Sequence, residues 1–170
     1  MFNKGEMVVY GSSGVCRVDD ITKKVFGGEE KPYYVLRPVY NDCVIYAPVG
    51  ANVFMRSIIT RDQAEKLIEM IPDISAEAYQ NTSIQQLAEH YESALRTHKC
   101  SDLIELIMSI YEKKKNAEEK GRKMGVIDER FMKQAEELLY GEFAVALGLK
   151  KGDVRGYIAE RVAAMEKSRA

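Results

Sequence analysis

The side chains with the widest chemical repertoire in this sequence are His90, His98 and Cys100. The two histidines are eight residues apart on one expected helix, and Cys100 follows His98 by two. One such pair is not a zinc site, which takes four ligands, or three and a water. Gly11 and Gly14 sit in a turn between two short apolar runs and are not followed by a helix, so they form no phosphate-cradling loop. No Gly-x-Ser-x-Gly elbow occurs. The acidic pairs Glu118-Glu119 and Glu136-Glu137 lie in lysine-rich helical stretches and read as solvated faces. These residues predict no enzyme, no metal and no cofactor. The remaining chemistry is that of a basic run. Lys113, Lys114, Lys115, Lys120, Arg122 and Lys123 outnumber Glu118 and Glu119, for a local balance of +4. The plainer reading is that Lys113–Lys115 complement the macrodipole at the end of a helix; the functional one is a phosphate-contact patch.

The surrounding chain suits a binding protein. Its 170 residues allow one or two domains, and 46% apolar with 30% charged residues is ordinary for a folded chain. A net charge of −1 excludes a whole-protein field that attracts nucleic acid, so any such binding must be local. Three widely spaced cysteines, Cys16, Cys43 and Cys100, fit a reducing compartment better than a disulfide framework. With no apolar run near the length of a membrane span and no signal-peptide core, the expectation is a cytoplasmic protein, away from membranes and monomeric when free.

Two modules are expected to position these residues. The stretch KGEMVVYGSSGVCRV reads as strand, tight Gly-Ser turn, strand. Further strand signals follow: Ile21–Val25 with a turn at Gly27–Glu30, PYYVLRP opened by Pro32 and closed by Pro38, Cys43–Ala47 closed by Pro48, and Val53–Arg56. With the polar Ile21–Val25 left aside, five short strands within residues 1–57 predict a small, strongly bent barrel of the SH3-like or Tudor-like type. From residue 60 to 167 the period changes to helix. Starts are expected at Thr60–Asp62, Ser83, Ser101-Asp102, Asp128 and Gly152-Asp153, with Pro72 and Gly148 as stops. The expected class is α+β: a five-stranded barrel followed by a five-helix bundle.

Three segments of the β half, KGEMVVYGSSGVCRV, GGEEKPYYVLRP and VIYAPVGANVFMRSIIT, resemble the RNA-polymerase-interacting domain of the CarD/CdnL family. The corresponding domain of transcription-repair coupling factors is similar. LRTHKCSDLIELIMSIY and DERFMKQAEELLYGEFAVALG resemble the central and C-terminal motifs of CarD-type proteins. The resemblance runs from about Phe2 to Val162, and its helical half points to a stand-alone regulator, because the coupling factor continues into a helicase.

What the resemblance implies is a transcription regulator. Its Tudor-like module would bind the β subunit of bacterial RNA polymerase by a strand edge, and its helical module would steady the open complex at the upstream edge of the promoter bubble. Basic polymerase-contacting residues of the family correspond to Lys24, which keeps the charge, and Tyr46, which replaces it with an amphipathic anchor. The family's exposed tryptophan wedge has no tryptophan here to match; the corresponding position is Leu87. Core packing on the helix's own apolar stripe is the first reading of Leu87 and a minor-groove wedge the second. Basic residues beside the wedge in relatives fall on Glu89, His90 and Glu92. Phosphate contacts would then come from Arg96, Lys99 or the Lys113, Lys114, Lys115, Lys120, Arg122 and Lys123 run, giving weak, non-specific binding to promoter DNA. The rival implication is a module that docks on polymerase, or on another protein, without touching DNA.

Overall fold

The structure is a computed structural model and describes residues 1–169. The strands are β1 (Met7–Tyr10), β2 (Gly14–Phe26), β3 (Glu29–Pro38), β4 (Ile45–Pro48) and β5 (Met55–Ser57). The helices are α1 (Arg61–Met70), α2 (Ile84–Arg96), α3 (Cys100–Glu119), α4 (Val126–Leu147) and α5 (Lys151–Arg169). The class is α+β, as the sequence predicts. The chain divides into two compact units, Met1–Thr60 and the helical part from Arg61 onward.

In the first unit the strands form one antiparallel sheet in the order β4-β3-β2-β1-β5. Val8, Cys16, Val18, Tyr34, Leu36 and Ala47 make its core, with Ile45 and Met55 packed against them. Every strand therefore reaches one cluster, and the sheet wraps its own core while β4 and β5 remain its edges. Two local expectations are corrected. The sequence splits β2 in two, but it is one strand of 13 residues with a bulge between Val18 and Asp20. Asp19 is the extra residue, and a bulge admits it without ending the ladder. The β2–β3 turn is also tighter than Gly27–Glu30. Gly27 and Gly28 both take positive φ (62° and 85°), the geometry of a two-residue hairpin, and Glu29 already belongs to β3. Pro32 thus lies within β3, opposite Lys23; it has no N–H to give, and its carbonyl accepts from the Val49 N–H at 3.1 Å.

In the second unit α4 packs against α1, α2, α3 and α5. Phe131, Ala135, Leu139, Phe143 and Leu147 run along its buried side at spacings of four. Ser83 caps α2 as expected, its Oγ accepting from the Gln86 N–H at 3.3 Å. Gly148 ends α4 in the left-handed region, φ 69°. Ser101-Asp102 is not the cap of α3, and α4, expected to begin near Asp128, begins two residues before it. α3 begins at Cys100 and α4 at Val126, so Asp102 and Asp128 occupy first turns, where a carboxylate favours the positive end of the helix. Among the described residues no helix is long and apolar enough to cross a membrane.

Candidate docking face and nucleic-acid interface

Side chains alternate along a strand, so each strand of the first sheet has a core side and an outer side. On β3, Tyr34 and Leu36 are buried, which turns Tyr33, Val35 and Arg37 to the outer side. The register carries this across the sheet. Asp20 pairs with Val35 and Val35 with Tyr46; Thr22 pairs with Tyr33 and Tyr33 with Pro48. The outer side of β2–β3–β4 is therefore rich in aromatic and apolar groups. Phe26 meets Tyr33 edge to face at 5.2 Å between ring centroids. Phe26 and Tyr46 remain 54% and 43% exposed, too much for core residues of their size.

Lys24 and Tyr46, distant in sequence and on strands separated by β3, come together on this face. The Lys24 ammonium stands 4.1 Å from the centroid of the Tyr46 ring, a cation–π contact. At the other end of the face Arg17 and Arg37 pair across β2 and β3, and the bulge residue Asp19 takes a hydrogen bond from the Nε–H of each. The Arg17 hydrogen bond holds the Asp19 carboxyl below the usual carboxylate range, and Arg37 adds to this against partial desolvation. Sequence reasoning missed Arg17, Asp19 and Arg37 as a group. Their spacing shows nothing until the bulge aligns Asp19 with both strands.

The helical unit treats the expected DNA-contacting residues unequally. Leu87 is 6% exposed and packs in the core with Tyr91 and Leu95, so it is no wedge in this fold. A wedge must offer an uncovered side chain to the base step, and Leu87 faces inward because it lies on the apolar stripe of α2. Ile84, the first residue of that helix, is 67% exposed although it continues the same stripe. The stripe extends one turn beyond the surface that covers it. The Ser83 cap followed at once by a bulky apolar residue is the signal that could have singled it out. Glu89, His90 and Glu92 are exposed as well, with the His90 ring stacked on Tyr79 at 3.6 Å.

Leu87 thus takes the first of its two readings, whereas Lys113 departs from both of its own. Its ammonium bonds Asp128 Oδ1 at 2.9 Å, and the two side chains are only 13% and 5% exposed. The Tyr91 hydroxyl donates to the same oxygen at 2.6 Å. Burial, followed by the Asp128 carboxylate, pushes the Tyr91 phenol well above its usual range. The network ties α2, α3 and α4 together and removes Lys113 from any phosphate surface. Lys114, Lys115, Lys120, Arg122 and Lys123 are exposed at the end of α3 and in the turn after it. Arg96 is exposed but paired with Glu92 at 3.4 Å, and Lys99 is exposed ahead of α3.

One cleft of about 470 Å³ gathers His90, Ser93, Thr97, Asp102, Glu105 and Ser109. Three of its hydroxyls are occupied by the main chain: Ser93 donates to the His90 carbonyl, Thr97 to that of Ala94 and Ser109 to that of Glu77. None of them faces a base in the manner of an activated nucleophile. Among the described residues no group of three His, Cys, Asp or Glu side chains could hold a metal ion. Cys16, Cys43 and Cys100 form no disulfide among the described residues; the Cys100 thiol donates to Glu142 Oε1 at 3.3 Å, and burial pushes the Cys16 thiol up to about 11.

The sheet with its outer face spans nearly all of the first unit, and residues 2–59 match the family described as the CarD-like/TRCF RID domain, to which the N-terminal unit of this chain is accordingly similar.

Proposed function

We propose that this chain is a non-enzymatic bacterial transcription regulator that docks on the β subunit of RNA polymerase through the outer face of its N-terminal sheet. The observation that carries the reading is the meeting of Lys24 and Tyr46 on an exposed aromatic face, inside a segment similar to a domain that interacts with the polymerase β subunit. The edge strand β4 carries Tyr46, so a partner strand added there would gain main-chain hydrogen bonds beside side-chain contacts. The protein acts in the cytoplasm, where the polymerase is.

The helical unit steadies the open complex at the upstream bubble edge. Ile84, with the larger exposed apolar surface, takes the wedge role that Leu87 cannot, and an aliphatic wedge between base steps is a known minor-groove device. Arg96, Lys99, Lys114, Lys115, Lys120, Arg122 and Lys123 supply the phosphate contacts. Exposed Glu89 and Glu92 favour the second reading, docking without DNA contact, because acid beside phosphate is repulsive. The test is the full chain's affinity for the polymerase β lobe, together with promoter open-complex lifetimes. Loss of lobe binding in Tyr46→Ala and a shortened lifetime in Ile84→Ala are expected. Wild-type lifetimes in Ile84→Ala would leave the second reading.

A further inference from the structure

Arg17 and Arg37 stand opposite each other on neighbouring strands, an arrangement that is repulsive by itself. Asp19 makes it stable by accepting from both Nε–H groups. Both arginine side chains are more than half exposed, and among the described residues Asp19 is the only hydrogen-bond partner of either side chain. Two oriented guanidinium forks thus keep their Nη groups for a ligand, with the side-chain entropy of two long residues already spent on folding.

The neighbourhood selects the ligand. Along β3 the arginine pair is followed on the same side by Val35 and Tyr33, with Tyr46 beside them on β4. An apolar, aromatic strip suits a protein surface better than a sugar-phosphate backbone. Asp19 lies between the forks and Asp20 next to them, so a run of phosphates would meet repulsion that one carboxylate, seated on the Nη groups, avoids.

We propose that Arg17 and Arg37, aligned by Asp19, form a clamp for the carboxylate of an acidic side chain on the protein that occupies the outer face of the N-terminal sheet. The proposal rests on the docking reading above and defines the partner's chemistry: an apolar segment followed by an acid at the clamp end.

The experiment measures affinity and dissociation rate of the full-length protein with the polymerase β lobe, using Arg17→Gln, Arg37→Gln, Arg37→Lys and Asp19→Asn. Loss of one fork is expected to raise Kd about tenfold, mainly through faster dissociation. Arg37→Lys keeps the charge without the fork and restores little. The sign of Asp19→Asn decides. A mere positive field would bind more tightly once a negative charge is removed, whereas a clamp loses its alignment and binds more weakly. Tighter binding by Asp19→Asn, or unchanged binding by both Gln variants while Tyr46→Ala binds weakly, overturns the clamp and leaves the docking reading intact. No binding of the wild-type chain overturns both. A short promoter duplex is the second probe: Gln variants that lose affinity for it but not for the lobe identify a phosphate site and overturn the proposal. Replacing acidic residues of the lobe by their amides should single out one whose loss is not additive with Arg37→Gln.

Discussion

The two candidate surfaces of this chain respond differently to folding. On the sheet, Tyr46 stays exposed and half-buried Lys24 meets its ring. On the helices, Leu87 and Lys113, read by the same residue-by-residue reasoning, turn inward, one into the apolar core and the other into a buried ion pair. The difference lies in how each element sorts its side chains. A strand has two sides, and one buried residue fixes its neighbours' direction. A helix spreads side chains around a cylinder, and how wide an arc is covered depends on the partners that pack there. Lysine adds a further freedom, since its long stem lets the ammonium reach inward to a carboxylate or outward to solvent.

The largest test of this contrast is Asp128→Ala. It leaves the Lys113 ammonium poorly solvated and the Tyr91 hydroxyl without its acceptor. A stability loss of about 3–5 kcal/mol is expected, read from chemical denaturation. A loss below 1 kcal/mol would return Lys113 to the set of surface cations.

Leu87→Ala should cost about 2–5 kcal/mol, as for other buried leucines, whereas Ile84→Ala should stay within about 0.5 kcal/mol of wild type. Thermal melts of the two variants, run together, compare adjoining turns of one helix. Equal losses would mean that Ile84 is covered in solution.

Tyr91→Phe removes a hydrogen bond to a charged acceptor and should cost about 1.5–3 kcal/mol. It also carries a pH signature. The folded phenol titrates above its unfolded value, so the unfolded chain releases that proton first, and the fold loses stability as pH rises past about 10. Denaturation curves between pH 8 and 11 should fall less steeply for Tyr91→Phe than for wild type.

The smallest effect on the fold is expected at the sheet. Tyr46→Ala should change stability by no more than about 0.5 kcal/mol while weakening lobe binding markedly, because an exposed aromatic contributes to a partner and not to its own core. A Tyr46→Ala protein that melts several degrees lower would place Tyr46 among the structural residues, and the contrast between the two surfaces would disappear.

Much of the fold can be read from the residues alone. Alternating Tyr33–Arg37 defines a two-sided strand, Ser83 starts α2, and Gly148 stops α4, since these signals act within a few residues of themselves. The order of the five strands and five helices follows from such local preferences. Tertiary structure alone decided which surfaces are available. The bulge that places Asp19 between Arg17 and Arg37 depends on register between strands, which no local pattern encodes. The ion pair of Lys113 with Asp128 depends on where α3 and α4 cross. Exposure of Ile84 beside buried Leu87 depends on where the covering helices end. Local sequence sets the backbone through short-range sterics and hydrogen bonds; burial is a property of neighbours far along the chain, and it determined which of the candidate residues remain free to meet a partner.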